Sequence, residues 1–476
     1  MPSIVVVLFV SLLAVSTDLR AAPAGEESIT FAAQGGESVA ALQGQLQVPS
    51  HWSRPNGPKL SLSYVRFPAT GDRKGSPIVY LAGGPGGSGI ETARGRRFPL
   101  FMALREFGDV IAFDQRGTGA SSPQPTCSSS QVIDDAVAYS DAEFVELHRT
   151  AAHECLAQWQ QAGIDLRDWT TAQSVRDLDA LRLQLGAEKI SLWGISYGSH
   201  LALAALASMD DRIDKVVLAS VEGLAQTVKS PAQTDAYFER LQQAINTQPE
   251  LAAQLPDLVG LMRRVHAKLE AEPIMLQISP PAGEPYEFLL ERRDMQEFAS
   301  MMIADPGNAL QLLQLYAAVD AGVLEPVAAV VGRFHRPGQP IRYNPMPFAM
   351  DIASGISRSA RQSFERESKA ALLGGYLNFP MPQLADLIPE LDLGEDFRRG
   401  PRSEVPVLVL SGTLDGRTYP DSQRQAVAGL SNVQITVVEN AGHNLFMSSP
   451  AVAERIAAFL RGESGADRIV LEQWAR

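Results

Sequence analysis

Residues 189–200 read Lys-Ile-Ser-Leu-Trp-Gly-Ile-Ser-Tyr-Gly-Ser-His, and the rest of the chain is organised around them. The apolar run 190–193 predicts a short buried strand. Residues 199–209, rich in Ala and Leu, predict a helix. Between them lies Gly194-Ile195-Ser196-Tyr197-Gly198, a Gly-x-Ser-x-Gly turn. A turn this sharp needs glycine where a side chain would strike neighbouring backbone. It lifts the Ser196 hydroxyl above the sheet, at the positive end of the helix that follows. Alone the pattern is weak, because a glycine-lined turn with an idle serine looks the same.

The neighbouring runs give the pattern its meaning. Residues 77–82 form a continuous apolar stretch, as expected of a parallel strand buried on both faces. It ends in Gly83-Gly84-Pro85-Gly86-Gly87-Ser88-Gly89, where six of seven residues are Gly or Pro. Beside a nucleophilic serine such a loop can supply one oxyanion N–H, from Gly84, with the second from Tyr197. Further apolar strands are expected at 109–114, 215–219, 406–410 and 433–438, with helices at 172–185, 421–428 and 451–461 between them. This alternation predicts an α/β protein with a mainly parallel sheet flanked by helices. Residues 44–48 and 59–67 predict an antiparallel hairpin at the sheet edge.

Two segments interrupt the alternation. Residues 120–170 read as an irregular, partly helical insertion carrying Cys127 and Cys155, the only cysteines. Between about 223 and 405 the next core strand is delayed by far more than a loop could account for. That segment predicts helices at 232–246, 255–271, 293–304, 307–321 and 357–374, with a hairpin joining 274–278 to 286–290. It is expected to be a lid. The division is then a signal peptide at 1–24, core at 25–222, lid at 223–405 and core again at 406–476.

Three residues stand at the carboxyl ends of expected strands: Ser196, Asp415 in Ser-Gly-Thr-Leu-Asp-Gly, and His443 in Asn-Ala-Gly-His-Asn. Open α/β sheets bind ligands at that edge. A serine hydroxyl needs a base to take its proton, and neutral imidazole serves near pH 7. A carboxylate fixes the imidazole's tautomer and stabilises its protonated form. The order Ser, Asp, His is that of α/β hydrolases. His200, one turn after Ser196, reads as a packing residue. No metal-spaced cluster is found, and the chemistry calls for no cofactor and no metal.

A net charge of −13 disfavours nucleic acid as a partner. Residues 4–15 form an apolar run too short to span a bilayer comfortably, followed by Ala22-Pro23-Ala24, an A-x-A cleavage site. Export to the periplasm or the medium is expected, without stable membrane association, although no Lys or Arg precedes the run. In an exported chain an isolated cysteine pair bridges; two free thiols are the alternative.

These motifs resemble the prolyl aminopeptidase and tripeptidyl aminopeptidase branch of the α/β-hydrolase serine peptidases. The resemblance rests on residues 83–89, on Asp114-Gln115-Arg116-Gly117-Thr118-Gly119, on the Ser196 turn, on Gly412-Thr413-Leu414-Asp415 and on Gly442-His443. It departs at Ala82, where many prolyl aminopeptidases carry His. It implies release of a residue or short peptide from free N-termini, with Ser196, Asp415 and His443 as triad and short peptides as substrates. A protonated substrate amine needs a carboxylate, and Glu222, just beyond the strand at 215–219, is the candidate. A carboxylesterase or other acyl hydrolase on the same triad is the alternative, and a catalytically silent binding protein a third reading.

Overall fold

The computed structural model describes residues 25–72, 75–121 and 125–472; the expected signal segment lies outside them. A ten-stranded sheet runs through the molecule. Its strands are β1 (Glu27–Ala32), β2 (Ser38–Pro49), β3 (Lys59–Phe67), β4 (Ile78–Leu81), β5 (Val110–Phe113), β6 (Ile190–Ser196), β7 (Ile213–Val221), β8 (Val407–Gly412), β9 (Val433–Glu439) and β10 (Arg468–Val470). Their spatial order is β1-β2-β3-β5-β4-β6-β7-β8-β9-β10. The first three strands and the β3–β5 pair are antiparallel, and every pair from β5–β4 onward is parallel. The hairpin expected at the edge is β2–β3, but β1 covers it. Ile29 and Phe31 alternate with polar residues in β1 and turn Phe31 into the core.

Every residue of β4, β5 and β8 is buried, which is why β4, β5 and Val407–Leu410 of β8 read as unbroken apolar runs. Alternate residues feed different layers. Val79, Leu81, Leu192, Leu218 and Val409 join one apolar cluster, whereas Tyr80, Trp193, Ala219 and Leu410 join the other. A third cluster lies outside the sheet and gathers residues between Tyr237 and Val331 with Leu372, Leu373 and Leu377. It closes over Leu414 and Tyr419, the residues flanking Asp415.

The segment 223–405 is therefore not one body in packing terms. Residues 346–353 and 384–391 pack into the core cluster on one face of the sheet. Its helices Pro249–Gln254, Glu325–Phe334, Pro345–Ser354, Met381–Leu384 and Gly394–Arg398 were not legible from the sequence, and the expected helix at 357–374 stops at Glu367.

The insertion at 120–170 is more ordered than expected. It contains a strand, Cys127–Val132, and a 21-residue helix, Asp141–Gln161, started by a Ser140–Glu143 capping box. The strand pairs antiparallel with Pro340–Tyr343, so the two interruptions of the core are joined by a small sheet. A Cys127–Cys155 disulfide ties the strand to the helix. Among the described residues no helix is long and apolar enough to cross a membrane.

Candidate active site

Ser196 ends β6 with φ 54° and ψ −129°, and the helix Tyr197–Met209 starts at the next residue. The glycines on either side are sterically required. A Cβ on Gly198 would lie 2.0 Å from Leu81 O, and one on Gly194 would lie 2.6 Å from Gly198 O. Ser199 stitches the turn to β7: its hydroxyl donates to Ser196 O at 2.5 Å and accepts from the Glu222 N–H at 2.8 Å.

The Gly-rich loop passes over Ser196. A Cβ on Gly83 would fall 3.0 Å from Ser196 Cβ and 3.7 Å from its Oγ. Gly84, with φ 128°, adjoins this point. The Tyr197 N–H stands in the first helical turn, where a backbone donor has no intrahelical partner. Asp114 fixes the loop, accepting from Ser88 Oγ (2.6 Å), Ile90 N (3.0 Å) and Ala120 N (2.8 Å). Two residues on, fully buried Arg116 forms a bidentate pair with Asp177, with Nε and Nη2 each 2.6 Å from a carboxylate oxygen. It also donates to Ser50 O at 2.7 Å. The 114–119 motif is thus a framework for the loop.

Asp415 is fully buried after β8 and accepts from Arg417 N, Thr418 N (both 2.8 Å) and Thr418 Oγ1 (2.7 Å). His443 Nδ1 lies 3.1 and 3.0 Å from its two oxygens. Burial pushes the carboxyl upward, but the His443 imidazole and the Thr418 donors outweigh it and hold Asp415 below the usual carboxylate range. The contact to Nδ1 leaves Nε2 as the nitrogen available to a serine. Among the described residues Ser196 Oγ has no hydrogen-bond partner; such contacts commonly tighten only with substrate in place.

The segment 303–306 buttresses both loops. His443 N–H donates to Ala304 O at 2.8 Å, and Asp305 accepts from the Asn444 N–H at 3.1 Å. A Cβ on Gly416 would lie 2.2 Å from Ile303 O, and one on Gly442 would lie 2.6 Å from Pro306 Cδ. From the other side Ser220, held at φ 50°, donates to His443 O at 2.7 Å.

Ser196, Gly84, Glu222 and His443 line one cavity of about 680 Å³. Lys229, Asp351 and Phe379, all from the segment 223–405, complete its wall. Glu222 is buried, but its carboxylate is already paired with Lys229 Nζ at 2.5 Å. Asp351, which the sequence reading missed, has no hydrogen bond or ion pair to its carboxylate among the described residues. Burial, then the Glu222 charge, push it up to about 7 against Lys229 and Arg417. A single acid in the otherwise apolar helix 345–354 was the available signal. His200 is wholly buried, with Nε2 3.1 Å from Ser354 Oγ and Nδ1 3.3 Å from Gly223 O; burial brings it down to about 4, as suits a packing residue. Among the described residues no group of three or more His, Cys, Asp or Glu side chains is spaced to hold a metal.

A mainly parallel sheet with a strand–Gly-x-Ser-x-Gly–helix turn at its carboxyl edge gives this chain the α/β-hydrolase fold. Residues 76–276 match the family described as alpha/beta hydrolase fold, and residues 394–467 that described as TAP-like protein. Within the class, its similarities fall on the tripeptidyl-aminopeptidase-like side. It is 34% identical over 184 residues to serine protease Hip1 of Mycobacterium tuberculosis, covering 37% of this chain and 35% of that protein. It is 29% identical over 192 residues to tripeptidyl aminopeptidase of Streptomyces lividans, covering 37% and 35%. A carboxylesterase B of Mycobacterium tuberculosis is 32% identical over 163 residues, covering 32% and 30%. The chain matches about a third of the length of these curated relatives.

Proposed function

We propose that the protein is a serine peptidase that releases a residue or short peptide from free N-termini through an acyl-enzyme. His443 takes the Ser196 proton as Oγ attacks the scissile carbonyl carbon, and the N–H groups of Gly84 and Tyr197 receive the developing oxyanion. His443 then gives that proton to the leaving amine as the C–N bond breaks. Water attacks the ester with His443 again as base, freeing the acid and restoring Ser196. Asp415 holds the imidazole's tautomer throughout.

The observation that carries the peptidase reading is the acidic corner formed by Glu222 and Asp351 in the Ser196 cavity. A protonated amine leaving water needs carboxylates to compensate it, and a simple ester substrate needs none. Lys229 pairs with Glu222, and Asp351, which forms no ion pair among the described residues, is the carboxyl left to ionise against the amine, which is held between the two. The relatives named serine protease and tripeptidyl aminopeptidase support this reading; the one named carboxylesterase keeps an esterase as the competing outcome. The Cys127–Cys155 bridge and the N-terminal apolar run support a periplasmic or secreted site of action.

A panel of aminoacyl and tripeptidyl amides, free and N-acetylated, tested beside simple esters, decides between them. Turnover of free-amine substrates, with little on the blocked ones, is the expected result. Hydrolysis of esters alone would establish the esterase.

A further inference from the structure

Besides Glu222 and Asp351, the cavity wall carries three cationic side chains, Lys229, Arg97 and Arg417. Arg97, at the start of the helix Phe98–Leu104, lines the cavity together with Asn444, the residue after His443. Its guanidinium lies 5.8 Å from the Tyr80 ring centroid and 5.5 Å from that of Phe446. It donates to Tyr80 Oη and, at 3.3 Å, to Asn444 Oδ1. Asn444 is in turn anchored by its own donation to Asp305. These neutral acceptors fix the guanidinium but use only part of its set of five N–H donors. Among the described residues no carboxylate lies within ion-pair distance of Arg97. A recess of about 250 Å³ continues from this point, lined by Thr92, Gly95, Arg96, Arg97, Asn444 and Met447. It contains two arginines and no acid.

Resting on the peptidase reading above, we infer that Arg97 binds a carboxylate of the leaving fragment, selecting short peptides whose acidic group falls within reach of the scissile bond. The direction follows from the chemistry. His443 must protonate the leaving nitrogen, so the leaving fragment lies on the His443 side of Ser196. Asn444 and Arg97 are the next groups along that side. A planar guanidinium held by two side chains and flanked by aromatic rings is preorganised for carboxylate binding. The carboxylate is either the C-terminus of a short leaving fragment or an acidic side chain within it.

The test uses alanine peptides of two to five residues as free acids and as C-terminal amides, and amidated peptides with one Asp placed after the scissile bond. kcat and KM are measured for each with wild type, Arg97→Gln and Arg97→Lys. Wild type is expected to prefer the free acids over the amides by about tenfold or more in kcat/KM, mostly through KM. In Arg97→Gln that ratio collapses to within about twofold, and in Arg97→Lys it stays intermediate. If the Asp-bearing amides recover the preference, a side-chain carboxylate is also accepted; if only free acids show it, the terminal carboxylate is the ligand. Equal rates on acids and amides in wild type would overturn the inference while leaving the peptidase reading intact. Equal losses by Arg97→Gln on both series, with peptide cleavage persisting, would reduce Arg97 to a support for Tyr80 and Asn444. Wild type that cleaves esters but no peptide would remove the peptidase reading and this inference with it.

Discussion

Ser196 keeps a backbone conformation that side-chain-bearing residues avoid, at a typical cost of about 1–3 kcal/mol. Strain at Ser196, the proposed nucleophile, predicts opposite effects on stability and activity. Ser196→Ala should lower kcat by about a million-fold while leaving the melting temperature unchanged, because alanine meets the same restriction. Ser196→Gly should be equally inactive yet melt higher, by about 1 kcal/mol of relieved strain. Calorimetry beside single-turnover assays checks both; a Ser196→Ala enzyme with a few per cent of wild-type turnover would remove the serine mechanism. Asp351 makes a second prediction, whose sign follows from linkage. An unfolded Asp titrates near ~4, and here burial raises the folded group to about 7. Between those values the unfolded chain has lost a proton that the folded protein keeps. Stability is therefore complete below the unfolded value and lost as pH rises through the folded one. Asp351→Asn should raise the melting temperature at pH 8 and change it little near pH 4, while lowering kcat/KM for free-amine peptides. A shift equal at both pH values would show that the carboxyl is not titrating there. Ser196, Asp415 and His443 were legible because each ends an apolar run in a Gly-rich turn. Asp351, Lys229 and Arg97 were not, because what makes them notable is their convergence on one cavity across hundreds of residues of chain.

At the scale of elements, the segment 303–306 deserves mutation more than any residue that touches substrate. It presses on the Asp415 and His443 loops so closely that Gly416 and Gly442 have no room for a methyl group. Gly442→Ala should displace His443 from Ser196 and cost about 100-fold in kcat, with KM for small esters little changed and the fold retained. Wild-type kcat in a folded Gly442→Ala protein would show that the buttress does not position the histidine. The elements of the sheet were readable because residues buried on both faces must be apolar in unbroken runs. The strand Cys127–Val132 was not, because its sequence, Cys-Ser-Ser-Ser-Gln-Val, has polar residues that a short two-stranded sheet at the surface tolerates. Strand β10, three residues long, lacks enough length for any periodicity to register.

Over the whole molecule, the buried Arg116–Asp177 pair joins the turn after β5 to the helix Thr171–Gln184. Removing one partner of such a pair leaves an uncompensated charge, and lysine cannot reproduce the two-pronged contact. Arg116→Leu should destabilise the protein by about 3–5 kcal/mol, with Arg116→Lys intermediate, read from the shift of the chemical denaturation midpoint. An unshifted midpoint for Arg116→Leu would show that the pair contributes nothing. The alternation of strands and helices made the layered core legible in the sequence. It did not show that 346–353 and 384–391 pack into that core while Tyr237–Val331 form a cluster of their own, since both stretches are apolar and helical.

The pairing of Cys127–Val132 with Pro340–Tyr343 has a bearing on any attempt to exchange parts between members of this fold. A graft that replaced 223–405 alone would leave Cys127–Val132 as an orphan edge strand, still tethered through the disulfide to the helix Asp141–Gln161. Unpaired edges of that kind recruit other chains. A transplant of substrate preference would have to move two separate stretches of sequence together, and a random recombination library crossed anywhere between them would be enriched in aggregating members.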